Sequence, residues 1–116
     1  MLKTFMELIE AHQENVTMCS VEAAAKRIAG ELELVLLDVR ESAEHADASV
    51  PSAVNIPRGF LEFRIAGTCP QADTAILIHC KSGGRAVLAA KTLADMGYTN
   101  VAVVGGAFDE LLAAVS

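Results

Sequence analysis

The sequence predicts an α/β fold, a mainly parallel sheet with helices on both faces. Three observations carry that expectation. The apolar runs Leu34–Val39, Ala75–His79 and Val101–Val104 do not alternate with polar residues, which is how strands buried on both sides read. Segments with helical spacing separate these runs, and strands alternating with helices imply a parallel sheet. The third observation is scale. A chain of 116 residues can bury one core as one domain, and 53% hydrophobic against 21% charged content belongs to a globular chain rather than a disordered one.

Taken in order, Leu2, Phe5, Met6 and Ile9 recur at helical spacing with Glu7, Glu10 and Gln13 between them. This predicts an N-terminal amphipathic helix over residues 1–14, ahead of a domain at 15–116. Its apolar stripe needs a cover, and two remain open: the domain's own sheet, or a partner surface such as a homodimer formed through this helix. Asn15 to Cys19 suits a first strand. Ser20 is placed to N-cap a helix over Val21 to Ala29 that Gly30 would end. Leu34 to Val39 is then a buried strand, followed by a helical turn near Glu41 to Ala46, a loop through Pro51 and Pro57, and a helical piece around Phe60 to Ile65. After the central strand at Ala75–His79 comes a helix from about Gly84 to Met96. It would bury Val87, Leu88, Ala90 and Leu93, with Gly97 as a left-handed stop. Val101–Val104 is the last strand. No repeat, linker or low-complexity tract interrupts this order.

Composition removes several function classes. A net charge of -6 leaves too few clustered Lys and Arg for phosphate contacts, so no nucleic-acid partner is expected. No apolar run approaches the roughly 18 residues that cross a bilayer, and the first residues lack the apolar core and cleavage site of a secretory signal. No membrane association and a cytoplasmic location are therefore expected. Cys19, Cys69 and Cys80 form no Cys-x-x-Cys or Cys/His ligand spacing, which argues against a disulfide framework or a metal site.

The chemistry concentrates where the central strand ends. Ile76-Leu77-Ile78-His79-Cys80 runs into Lys81-Ser82-Gly83-Gly84-Arg85, a glycine-bearing cationic loop that opens the next helix. Ligands of open α/β sheets bind beyond the carboxyl ends of strands, where amides at a helix start attract anions. Gly83 and Gly84 permit a sharp turn and close approach, while Lys81 and Arg85 would add positive charge that favours thiolate. Lys81 is the first candidate substrate contact. Arg85 has two readings, anion binding and pairing with a carboxylate to hold the loop; Ser82 either donates to the sulfur or solvates the turn. His79 should point away from Cys80 by strand alternation and serve packing. Asp38 and Arg40 end the second strand near the same sheet edge, with Arg40 most simply paired to Glu41 or Glu44. His45 and His12 read as solvated, Met18 and Met96 as core filler, and Cys19 and Cys69 as bystanders, Cys69 with a minor alternative as an exposed resolving thiol.

Cys80-Lys81-Ser82-Gly83-Gly84-Arg85 after an apolar strand resembles the active-site loop of rhodanese-like sulfurtransferases. Two further segments agree. Leu36-Leu37-Asp38-Val39-Arg40-Glu41 with Val50-Pro51-Ser52-Ala53-Val54-Asn55-Ile56-Pro57 is similar to that family's Asp-Val-Arg and His-Ile-Pro-Gly-Ala-x-Asn-Ile-Pro signatures, and Val101-Ala102-Val103-Val104-Gly105-Gly106-Ala107-Phe108 to its last strand and Gly-Gly turn. Ala48-Ser49-Val50-Pro51-Ser52 departs from the pattern by lacking the usual histidine and both flanking glycines. Phe108 stands for the aromatic after the turn, and the last helix is expected to be short.

The resemblance implies a rhodanese-like three-layer fold with a sheet of about five strands across residues 15–116. It also implies an enzyme in which Cys80 is the nucleophile and carries sulfur as a persulfide, with Lys81 through Arg85 binding substrate and Asp38 and Arg40 as supporting residues. No metal or organic cofactor is implied. The partners would be a small anionic sulfur donor such as thiosulfate and an acceptor such as cyanide, a thiol or a thioredoxin-like protein. Two alternatives remain: a noncatalytic rhodanese-like binding module, and a phosphatase or arsenate reductase. Such modules typically lose the cysteine, which this chain keeps. Phosphate loops place five residues between cysteine and arginine, whereas four separate Cys80 from Arg85.

Overall fold

Strands that are apolar on both sides need two covering layers, and the chain supplies them from six helices. The computed structural model describes residues 1–116. Helix α1 (Phe5–Gln13) is followed by β1 (Met18–Cys19), α2 (Val21–Gly30), β2 (Val35–Asp38), α3 (Ser42–Asp47) and β3 (Val54–Asn55). A 3-10 turn at Arg58–Phe60 leads into α4 (Leu61–Thr68), then β4 (Ile76–His79), α5 (Gly84–Asp95), β5 (Val101–Val104) and α6 (Phe108–Val115). The five strands are all parallel, in the order β1-β5-β4-β2-β3.

Alternation along the strands sorts the core into two halves. Leu37, Val39, Ile76, Ile78, Cys80 and Val103 face α1, α4 and α5, where they meet Ile9, Leu61, Ile65, Val87 and Leu93. Leu36, Leu77, Ala102 and Val104 face α2 and α6, against Ala24, Phe108 and Leu111. The three-layer expectation therefore holds, with β4 at the centre and fully buried.

Several local expectations are corrected. α1 starts at Phe5 because Thr4 and Glu7 close a reciprocal capping box, at 2.9 and 3.1 Å, so Leu2 stands outside the helix and exposed. Ser20 caps α2 through the Ala23 amide as expected, yet Gly30 continues the helix and Glu31 ends it in extended conformation. The first strand shrinks to Met18–Cys19, and β3 forms where the sequence suggests only loop. Met18 and Met96 are exposed rather than core residues, and Leu88 is only half-buried. α1 packs on α5 and buries Ile9, while Phe5 and Met6 stay exposed.

Gly97 does take the left-handed conformation, at φ 106°, and a Cβ there would meet nothing within 4 Å. Substitution at this site therefore isolates backbone strain. Gly97→Ala is expected to lower unfolding free energy by about 1 to 2 kcal/mol with an unchanged denaturant slope, as measured by urea unfolding. A fall below about 0.5 kcal/mol would contradict that account.

Candidate active site

β4 ends at His79, and the next residue begins the turn into α5. Gly83 makes that turn possible by adopting φ 105° as the N-cap of α5. The turn curls the chain around the Cys80 sulfur, which accepts from the Gly83 amide at 3.1 Å and, more weakly, from the Ala86 amide at 3.4 Å. Cys80 is only 2% exposed. Its sulfur is thus enclosed by amides at the N-terminus of a twelve-residue helix, an arrangement that favours negative charge. Ala86 lies one residue past the loop named from sequence, and the Ser82 hydroxyl is not among the sulfur's partners.

Arg85 turns away from any role as a free cation. Its guanidinium meets the Glu44 carboxylate through two contacts, Nη1 at 2.6 Å and Nη2 at 3.1 Å, with both side chains 31% exposed. Hydrogen bonding to Arg85 holds the Glu44 carboxyl at about 2, and the same pairing raises the Arg85 guanidinium above its ordinary value. Of the two readings of Arg85, the structure displays the carboxylate pair. Lys81, by contrast, makes no ion pair and is exposed, while its carbonyl accepts the Phe108 amide at 2.9 Å and so ties the loop to α6.

On the opposite face of the sheet lies a second polar cluster. Asp38 is fully buried and accepts from the Arg40 amide at 3.0 Å, from Arg40 Nη2 at 2.9 Å and from His45 Nδ1 at 2.9 Å. Burial pushes the Asp38 carboxyl up, but the hydrogen bonds from Arg40 and His45 outweigh it and hold the group below its usual range. Arg40 Nη2 also donates to the Ala48 carbonyl at 2.7 Å, and the guanidinium lies 3.9 Å over the Phe108 ring. Asn55 Nδ2 donates to the Asp38 and Arg40 carbonyls, both at 3.0 Å.

These contacts revise three sequence readings. Arg40 pairs with Asp38, not with Glu41 or Glu44. His45 is not a solvated side chain, because its ring is fixed on Asp38 and with Arg40 it anchors α3, the helix that presents Glu44. Asp38 and Arg40 reach the same sheet edge as Cys80 but place their side chains on the other face. His79 behaves as expected, buried on the Asp38 side and stacked 5.9 Å from Phe108. Cys69 is buried, which pushes its thiol up and removes it as an exposed resolving group. Glu44 could have been suspected from its place three residues after Glu41, whose amide it accepts at 2.9 Å. Its reach to a residue 41 positions away carries no local signal.

A family model described as a rhodanese-like domain matches residues 20–114. The chain belongs to the rhodanese-like family. It is 31% identical over 98 residues to the thiosulfate:glutathione sulfurtransferase of Saccharomyces cerevisiae, an alignment covering 73% of this chain and 70% of that one. Bacillus subtilis YrkF is 38% identical over 82 residues, 71% of this chain, which spans only 43% of that relative. Among solved structures, the human single-domain sulfurtransferase TSTD1 superposes with a TM-score of 0.73 at 25% identity, covering 84% of this chain and 96% of that one. A Rhodopseudomonas palustris protein of unknown function, described as a possible tyrosine phosphatase, gives 0.83 at 26% identity over 98% of this chain and 92% of its own.

The buried and paired groups set the acid sensitivity of this region. Burial lowers the His79 imidazole from 6.5 to about 4, against a smaller opposing pull from Asp38. The folded state therefore binds this proton more weakly than the unfolded chain, and the associated stability is complete above pH 6.5 and lost as pH falls toward 4. Glu44 follows the same sign lower down, complete above 4.5 and lost toward about 2. Urea midpoints measured against pH should show both slopes. His79→Phe is expected to flatten the upper one alone and Glu44→Gln the lower one alone; unchanged slopes in either variant would refute the assignment.

Proposed function

We propose that the protein is a sulfurtransferase that moves sulfane sulfur from thiosulfate or a similar anionic donor to cyanide or a thiol through a persulfide on Cys80. The supporting observation is the Cys80 sulfur held by the Gly83 and Ala86 amides at the start of α5. Sulfurtransferase relatives and the family's three ordered motifs support the same reading. In the first half-reaction the Cys80 thiolate attacks the outer sulfur of thiosulfate; the donor's S–S bond breaks and sulfite leaves with its electron pair. In the second, the acceptor attacks the outer persulfide sulfur, and the bonding pair returns to Cys80 Sγ. Two half-reactions through one covalent intermediate predict ping-pong kinetics. The same amides that hold the sulfur would stabilise charge developing on the persulfide.

Lys81 is the group we assign to donor binding, since Arg85 is neutralised by Glu44. Ser82, Gly83 and Gly84 shape the ring, and Asp38 with Arg40 support it from the other face. A thioredoxin-like protein or a small thiol would serve as acceptor in the cytoplasm. The four-residue spacing between Cys80 and Arg85 forms a tighter ring than a phosphatase loop, so aryl phosphate should be a poor substrate.

Intact mass spectrometry after mixing with thiosulfate is expected to show one added sulfur on the native chain, removed by cyanide, and none on Cys80→Ser. Lys81→Ala should load the same sulfur but raise KM for thiosulfate about three- to fivefold, the size of one exposed charge interaction, with kcat little changed. Sulfur loading retained by Cys80→Ser, or aryl phosphate turnover exceeding thiocyanate formation, would overturn the reading.

A further inference from the structure

Two clefts of opposite character flank the Cys80 loop. One, of about 370 Å³, is lined by Arg40, Lys81 and Phe108 together with Glu44, Asp47 and Asp109. The other, of about 470 Å³, lies between α1, the start of α5 and the turn after β5, and it meets the loop through Ser82, Gly83 and Gly84. None of the thirteen residues lining this second cleft carries an ionisable side chain. Its outer wall is Phe5, Met6 and Met18, with Phe5 55% and Met6 61% exposed. All three precede residue 20, where the family match begins, so this wall is built by a segment outside the matched domain.

The wall is fitted to the loop rather than laid loosely over it. A Cβ on Gly84 would come within 2.6 Å of the Phe5 ring, so the helix start and α1 touch because residue 84 has no side chain. Gly83, whose amide holds the Cys80 sulfur, has open space where its own side chain would stand. An occupant of the neutral cleft therefore lies against Gly83, one of the two residues whose amides hold the sulfur. A small dianionic donor gains nothing from walls without charge, and a charged body placed there would lose hydration without compensation. Methionine side chains adapt to apolar bodies of varied shape, and the volume is that of a small-molecule site.

Resting on the sulfurtransferase reading, we propose that this cleft is the acceptor subsite and seats the uncharged, apolar body of a small thiol. The acceptor thiol releases its proton to solvent. Its thiolate attacks the outer sulfur of the Cys80 persulfide, the Cys80 S–S bond breaks, and its electron pair stays on Cys80 Sγ while the acceptor leaves as its own persulfide. No external oxidant or reductant enters. The donor uses the charged cleft in the other half-reaction, so the two bodies never compete for one wall. Phe5, Met6 and Met18 are then specificity-determining residues.

Single-turnover discharge tests this on protein first loaded with thiosulfate and freed of excess donor. Butanethiol, 2-mercaptoethanesulfonate and glutathione are compared at equal thiolate concentration, each rate divided by that thiol's rate with free cysteine persulfide. Butanethiol is expected to discharge the native protein roughly tenfold faster than either charged thiol, the discrimination a modest apolar contact supplies. Met6→Glu and, independently, Met18→Glu should shrink that ratio to near one. Equal normalised rates in the native protein, or a preference that both substitutions leave intact, would overturn the proposal. Failure to load sulfur at all would instead bring down the sulfurtransferase reading, and this inference with it.

Discussion

The carboxyl edge of the sheet is organised by one buried ion pair, the Arg40 guanidinium on the Asp38 carboxylate. A charge inside a protein requires a partner held in place, and losing one member of such a pair costs roughly 3 to 5 kcal/mol because the other is left uncompensated. Here the pair does more than neutralise itself. Arg40 reaches the Ala48 carbonyl and the face of Phe108, and Asp38 receives His45. One guanidinium thereby fixes the end of α3 and the start of α6, while Asn55 binds the backbone on either side of Val39 and brings β3 to the sheet. The Asp-Val-Arg motif is a structural device before it is anything chemical.

That device acts on the sulfur from a distance. α3, fixed by Arg40 and His45, presents Glu44 to Arg85 at the first turn of α5; α6, fixed by Phe108, donates an amide to the Lys81 carbonyl. The loop around Cys80 is thus held at both flanks by helices that the opposite face of the sheet positions. Strand alternation makes this division possible, because neighbours His79 and Cys80 face opposite layers. The imidazole serves the apolar packing around Phe108, and the thiol is left to the amides.

What the sequence made legible follows from how local each signal is. β5 could be read residue for residue, and α5 with its Gly97 stop nearly so, because an uninterrupted apolar run and helical spacing closed by glycine need no distant partner. The Cys80 turn was legible for the same reason, since glycines and a strand end fix its shape. β3 was not: Val54–Asn55 is two residues long and is a strand only because Leu37 and Asp38 lie beside it. Met18 and Met96 misled because composition cannot say which apolar residue the surface keeps. His45 and Glu44 were read as polar helix residues, which they are locally. Their partners, Asp38 and Arg85, are set by the packing of α3 across the edge of the sheet.

The charge arrangement that results differs from the one the loop's composition suggests. Two of the three cations at this edge of the sheet are committed, Arg40 to Asp38 and Arg85 to Glu44, and each pair is close to neutral seen from outside. What remains to draw an anion is Lys81 and the partial charge at the start of α5, set in a chain of net charge -6. Such a site attracts anions over a short range only, since at physiological salt charges more than about 8 Å apart are largely screened. Discrimination must then come from close contact: amide geometry for the sulfur, and wall chemistry for whatever delivers or removes it. A cleft without ionisable groups and one rich in them border the loop that carries this thiol, the first at Ser82, Gly83 and Gly84 and the second at Lys81.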